Sequence, residues 1–486
     1  MFNKIFIIFS KSSVVVLFIL FSLQSIPARD ISYEEALDIA LHRSSRGEII
    51  RGNLEVAEKN YFAKRVGFWV PEISIRGSVP AYESNEDYTY LPGTDQKVLG
   101  KRTTVDWDSY VNLDQNLISG GKLTFQAFLR SNDWEYPQRG VIVDEQRRLG
   151  SFNLTLDQPI LKPSDPKNEL NNKKDDFEIA RITRQEETAS LMEELTEAYF
   201  GVLQMTLHKQ ITSEKLESAK LKTGIDSIKF FEEVISEEDW LISSSERLDA
   251  ELEQFDIENS LTTKQRELVM ILDLEINENL VLSPPKDIRE LTPEQSKLFL
   301  ASADNSNSVK KAEHEYKKAQ RSSKYEASSK GLTGTLTANY SKESGWVNTS
   351  VQDREDLNLN TWGIKLDFNY PIWDGGASGA SVQAAQLQAE QSRIEYEKAL
   401  KSSRSEIESL INSVNISAKK LKVLKQQIDL SKNRRDIAEF RFNDGQISKI
   451  TYFETSITYL EAQNNYLEEL KNYLIDTYKL ESNFSL

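Results

Sequence analysis

Cysteine is absent from the 486 residues. That excludes disulfide frameworks, thiolate metal sites, cysteine nucleophiles and a lipid-bearing N-terminal cysteine. The three histidines, His42, His208 and His314, are scattered, so no histidine zinc cluster is expected. Glycine and proline are scarce, 20 and 12, which leaves long stretches without a helix breaker. Basic residues are outnumbered, 60 against 76 acidic, for a net charge of −16. A phosphate backbone needs a basic footprint, so a nucleic-acid partner is not expected. Long apolar runs are also missing. Beyond the N-terminus no segment reaches the ~18 apolar residues of a membrane helix. That leaves open a β-barrel, whose strands carry a much weaker signal. With 39% hydrophobic and 28% charged residues, the balance fits long solvated helices better than several compact cores.

Residues 1–28 are expected to be a signal peptide. Lys4 and Lys11 form its positive end, Val14 to Leu23 its apolar core, and Ala28 a small residue at the cleavage site. The apolar run is too short for a membrane anchor, which needs ~20 residues.

The remaining chain alternates between two textures. Segments 32–69, 167–225, 246–274, 292–329, 376–440 and 446–483 are rich in Glu, Lys, Ala, Leu, Gln and Ser. As a helix, 376–440 would be ~97 Å long. Ile407, Val414, Leu421 and Ile428 repeat every seven residues, with Leu410 and Leu424 beside them. A sustained seven-residue spacing implies supercoiled packing on neighbouring helices. The second texture is strand-like. Leu332, Gly334, Leu336, Ala338 and Tyr340 alternate with polar residues, as do Trp362, Ile364, Leu366, Phe368 and Tyr370. In the first half, Ile73, Ile75, Gly77 and Val79, and then Phe152, Leu154 and Leu156, alternate in the same way. Strands of ~9–11 residues with one apolar face suit a barrel with lipid outside and water inside. Trp362, Tyr370 and Trp373 suit an aromatic girdle.

Strands and helices recur in the same order twice. Gln158-Pro159-Ile160-Leu161 aligns with Tyr370-Pro371-Ile372-Trp373 at an offset of 371 − 159 = 212. The same offset sets Phe230 on Phe442, Ile235 on Ile447, Ser236 on Ser448 and Trp240 on Tyr452. A duplicated unit is therefore expected. The first repeat is 29–274, with strands near 72–80 and 151–158 and a helical hairpin at 167–274. A linker follows at 275–291, marked by Pro284-Pro285. The second repeat is 292–486, with strands near 332–341 and 361–371 and a helical hairpin at 376–483. Four strands cannot close a membrane barrel, because a sheet in lipid leaves no open edge. Barrels begin at about eight strands, so the strands must be pooled between chains. The first half also holds an extra alternating pair near 107–130, around Gly120-Gly121. It either decorates an extracellular loop or enlarges the barrel to six strands per chain.

The layout resembles the TolC-type outer-membrane factor family over about 32–483. The motifs are Ile31-Ser32-Tyr33-Glu34-Glu35-Ala36-Leu37-Asp38-Ile39-Ala40-Leu41 and Phe68-Trp69-Val70-Pro71-Glu72-Ile73-Ser74, then Asp367 to Gly376, and Phe442-Asn443-Asp444-Gly445-Gln446-Ile447-Ser448. The resemblance implies a mainly α protein with a membrane β-barrel. That is a homotrimer whose twelve-stranded barrel, enlarged if the extra pair joins it, continues into a long α-helical coiled-coil tunnel. It implies an outer-membrane duct of a Gram-negative-type cell, reaching into the periplasm, for efflux or type I secretion. Its partners are outer-membrane lipid, a periplasmic adaptor and an inner-membrane pump, with no cofactor and no catalysis of its own. Departures exist: Glu233 stands where the second half has Gly445, and Leu161-Lys162-Pro163-Ser164-Asp165-Pro166 replaces the Asp-Gly-Gly corner. A pore-less trimeric coiled-coil scaffold is the alternative.

Pro371, Asp374, Gly375 and Gly376 read as a strand-to-helix corner, since the Lys-Ser/Thr of a phosphate loop is missing. By the family's pattern, inward acids near the tips form a selective ring. That places Thr451 and Glu454 in a periplasmic gate, with Asp239 joining by the repeat offset. Phe230, Phe231, Phe442 and Gly445 are candidate adaptor contacts. The plainer readings are a solvated helix end for the acids and hairpin packing for the aromatics.

Overall fold

The computed structural model describes residues 29–78, 81–90, 95, 97–138, 141–161, 164–275, 280–285 and 291–484. The leader read at 1–28 lies outside the described residues. The chain begins with β1 (Arg29–Ser32), α1 (Tyr33–Asp38), one π-helical turn (Ile39–Arg43) and α2 (Ser45–Trp69). Then come β2 (Glu72–Gly77), β3 (Ala81–Tyr90), β4 (Lys97–Asn116), β5 (Lys122–Gln138) and β6 (Val141–Ile160). The first helical hairpin is α3 (Asp165–Phe231) and α4 (Glu237–Leu272). After β7 (Leu280–Ser283), α5 (Pro293–Ala301) and α6 (Asn307–Ser329) lead to β8 (Thr333–Thr349) and β9 (Gln352–Asn369). The second hairpin is α7 (Ala377–Asn443) and α8 (Lys449–Ser482).

Serines break two stretches that the composition reads as single helices. Ser44 Oγ accepts from Gly47 N at 3.1 Å and donates to Ala40 O, ending one helix and capping the next. A Cβ on Gly47 would lie 2.6 Å from the Leu41 carbonyl oxygen, so the restart needs glycine. Ser306 Oγ likewise accepts from Val309 N and splits α5 from α6. The 275–291 segment is not plain linker, because β7 within it pairs in parallel with β1.

The strands form one antiparallel sheet in the order β2-β4-β5-β6-β8-β9, with β3 also on β4. β2 pairs with Ser109–Asp114 and β3 with Lys97–Asp106, further along the same side of β4. The register slips by one between them, from Gly77↔Ser109 to Ala81↔Asp106. They are thus two pieces of one interrupted column, and the sheet has six columns. The strands run well beyond the alternating stretches visible in the sequence, because regular alternation is lost in their outer parts, as in 97–106 of β4 and 352–356 of β9. The extra pair near 107–130 is part of this sheet, inside β4 and β5.

Each 67-residue helix, α3 and α7, leaves the sheet and extends for about 100 Å. Among the four hairpin helices α3 packs between α4 and α8, and α8 between α3 and α7, so α4 and α7 are the outer members, while α2 lies on α3 and α6 on α7. Ile407, Val414 and Leu421 are buried, as a seven-residue seam requires. The main core lies where β1, α1 and β7 meet α3, α4 and α8. Tyr199, fully buried there, sits 2.8 Å from the carbonyl oxygens of Ile31 and Ser283 and accepts from Ser283 N at 3.1 Å. Burial pushes its hydroxyl up to about 12. One phenol thus ties both strands of the small parallel pair to α3. Tyr199→Phe leaves buried backbone groups without a partner, a cost of about 1–3 kcal/mol. Thermal unfolding of the variant should show that loss, and an unchanged transition would show the bridge to be dispensable.

Candidate functional site

The features that the sequence singles out gather at two places, the strand-to-helix corners and the hairpin tips. At the second corner Gly375 and Gly376 take φ of +69° and +89°. The Asp374 carboxylate accepts from Gly376 N at 3.0 Å and Ser378 N at 2.8 Å. Those bonds, Ser378 first, hold its carboxyl below the usual range. The corner is therefore built by capping the start of α7. In the first repeat Leu161 takes the positive φ, +68°, and Ser164 Oγ caps α3 through Lys167 N. Tyr370 and Trp373, after β9, and Trp69, before β2, are exposed at this end of the sheet.

At the tips the two repeats superimpose residue by residue at the offset of 212. Glu233 and Gly445 both take positive φ, +56° and +71°. Val234 N donates to Lys229 O, and Gln446 N to Arg441 O, both at 2.8 Å. Ser236 caps α4 and Ser448 caps α8 through Asp239 N and Thr451 N, both at 3.1 Å. The aromatic rings follow suit. Phe230 stacks on Trp240 with centroids 5.4 Å apart, and Phe442 stacks on Tyr452 at 5.8 Å.

This geometry separates the candidate residues. Phe230 and Phe442 are half-buried in hairpin stacks, whereas Phe231 is 79% exposed. Gly445 makes the turn. Asp239 closes a capping box: its carboxylate accepts from Ser236 N at 3.2 Å and Ser236 Oγ at 2.7 Å, which holds it below the usual carboxylate range. Thr451 occupies the same position on α8, with Oγ1 3.0 Å from Ser448 Oγ. Glu454 is exposed one turn further on. The serines and Trp240 with Tyr452 were not singled out as tip builders. The pattern Ser236-x-x-Asp239 ahead of a helix was the available signal. Another group missed is Glu214 on α3, which accepts from the buried Ser456 Oγ of α8 at 3.0 Å. Burial pushes its carboxyl up.

Among the described residues no three His, Asp or Glu are grouped to hold a metal ion, and no helix is long and apolar enough to cross a membrane.

Residues 301–482 match the family model described as outer membrane efflux protein. The family resemblance read from the sequence holds. Among solved structures, the Campylobacter jejuni CmeC outer membrane channel is 14% identical with a TM-score of 0.58, over 93% of this chain and 85% of that one. The open-state Neisseria gonorrhoeae MtrE outer membrane channel is 14% identical with a TM-score of 0.56, over 93% and 89%. The outer membrane protein VceC of Vibrio cholerae is 10% identical with a TM-score of 0.56, over 92% and 94%. No curated protein matches the chain. The chain therefore has the fold of outer-membrane channels, mainly helical with one large sheet.

The twin tips differ chiefly at Glu233, where a side chain occupies the left-handed conformation that Gly445 adopts freely. Such a residue costs about 1–2 kcal/mol. Glu233→Gly should therefore tighten the first tip and slow hydrogen exchange at the Val234 amide. Faster exchange in the variant would contradict the assignment of strain to this residue.

Proposed function

We propose that the chain is the outer-membrane duct of a tripartite efflux or type I secretion system, a passive conduit assembled as a homotrimer. The observation that carries the reading is the sheet. Its two lateral edges, β9 and the β2/β3 column, pair with no further strand among the described residues. Ile73 and Ile75 at one edge, and Trp362, Ile364 and Phe368 at the other, are each more than half exposed. In a bilayer an open edge leaves backbone donors and acceptors unmet, so copies join edge to edge.

The helices support the same assembly. α7 carries a second seven-residue row, Ile416, Val423, Leu430 and Ile437, exposed on its outer side. α4 exposes Leu241, Leu248, Leu252 and Phe255. Since α4 and α7 bound the helical layer, α7 of one copy covers α4 of the next, and a closed ring of helices continues the ring of strands. The tips then face the periplasm, where the exposed Phe231 is offered to an adaptor. Glu454, with Asp239 beside its cap, supplies the acidic charge of the narrow end. An inner-membrane pump provides the driving force.

Like charges ringed around an axis concentrate cations, an effect that fades over a Debye length of about 10 Å at 0.1 M salt. Purified protein in planar bilayers should form cation-preferring pores, whereas a pore-less scaffold would never conduct. The pair Asp239→Asn and Glu454→Gln removes charge while Asn keeps a capping oxygen, so the pore should survive with weaker cation preference. Unchanged selectivity would make both acids ordinary helix-end residues.

A further inference from the structure

We propose that the inserted hairpin β4–β5 is a full-height element of the pore wall, so that each copy gives six strand columns and a closed trimer has eighteen. Its inward polar side chains are then part of the cargo path. The inference rests on the duct reading and goes beyond it, since the four strands first read per chain give only twelve.

Four observations carry it. First, the hairpin is paired on both sides. β4 lies against β5 from Thr103 to Asn116, with β2 and β3 along its other side, and β5 lies against β6 from Lys122 to Gln138. A decorating loop would pair with itself alone.

Second, the apolar face runs across the hairpin without a break. Cross-strand register aligns Ile75 with Val111, Val111 with Ala127, Ala127 with Phe152, and Leu113 with Phe125, then Leu154, Tyr340 and Trp362. Leu129 is 60% exposed on this face. Alternation fixes the other face, where polar pairs cross the same two strands. Arg130 Nε donates to Asp108 at 2.8 Å, Gln126 to Asn112 at 2.7 Å, Asn132 to Asp106 at 2.6 Å and Thr124 to Asp114 at 2.9 Å. Lipid would strip these groups of water, whereas a lumen does not.

Third, the turn of the hairpin lies at the helical end of the sheet. Asn116 Nδ2 donates to Gly67 O at 2.9 Å, and Gln158 Nε2 donates to Ser119 O at 3.1 Å. Gly120, at φ +89°, lies so close to the cap of α3 that a Cβ would be 2.7 Å from Ser164 Cα. An extracellular decoration would turn at the opposite end.

Fourth, parity is satisfied. Every neighbouring pair in the sheet is antiparallel, and β3 continues β2, so six columns alternate in direction. β9 of one copy then meets the β2/β3 column of the next in antiparallel sense, as closed membrane barrels require. Barrel diameter grows about linearly with strand number, so eighteen strands make a bore about half as wide again as twelve.

The absence of cysteine makes the test clean. Full-length protein carrying Phe125→Cys, Gln126→Cys or Ala127→Cys is reconstituted in phosphatidylcholine vesicles and exposed to a membrane-impermeant maleimide or a lipid-dissolved one. The expected result is labelling of position 126 from water and of 125 and 127 only from lipid. If a variant fails to fold, Val111→Cys and Asn112→Cys on β4 give the same contrast. Equal aqueous labelling of all positions in vesicles that still conduct overturns the hairpin inference and leaves the duct reading standing. Vesicles that never conduct, with Ile364→Cys on β9 also labelled from water, overturn the duct reading itself. Strand counting in electron cryomicroscopy of the detergent-solubilised assembly gives a second measure: eighteen supports the inference and twelve refutes it.

Discussion

The backbone hydrogen bond governs this molecule. In water an unpaired strand edge is met by solvent, but in hydrocarbon each orphaned N–H or C=O costs several kcal/mol. The sheet ends at β9 on one side and at the β2/β3 column on the other. Its outward face is apolar along the same height. On the proposed reading this face lies in lipid, where a sheet with such edges does not remain alone. Under the proposed function, closure by further copies meets both edges, and the exposed rows on α4 and α7 are covered by the same step.

Duplication supplies the second organising rule. α3 and α7 have equal lengths of 67 residues and equivalent ends at an offset of 212. The tip hydrogen bonds, serine caps and stacked aromatic pairs repeat with them. Asp239, read from the sequence as a gate charge or a solvated helix end, has a structural role here. Asp239 fastens the first turn of α4 through a capping box, whereas the Thr451 side chain on α8 meets only the hydroxyl of Ser448.

Much of this was legible in the residues. The repeat offset found from Gln158-Pro159 and Tyr370-Pro371 predicts the paired tips, because loop geometry follows the spacing of Ser, aromatic and turn residues. The seven-residue row at Ile407, Val414 and Leu421 predicts its buried seam. The extent of β4, β5 and β6 was not legible, since alternation is regular only near the helical end of the sheet and is lost further along the strands. The left-handed Glu233 was visible only as a misfit against Gly445. The breaks at Ser44 and Ser306 were hidden because serine is neutral in composition and decisive only in a cap. The family's pattern places Asp239 in a gate, whereas Ser236-x-x-Asp239 also spells the capping box that the structure contains.

The central claim is that open sheet edges are completed by identical copies. The mass of the detergent-solubilised protein, corrected for bound detergent by multi-angle light scattering, tests it most directly. A stable assembly of three chains is predicted. A well-behaved monomer that keeps its folded sheet would contradict the account.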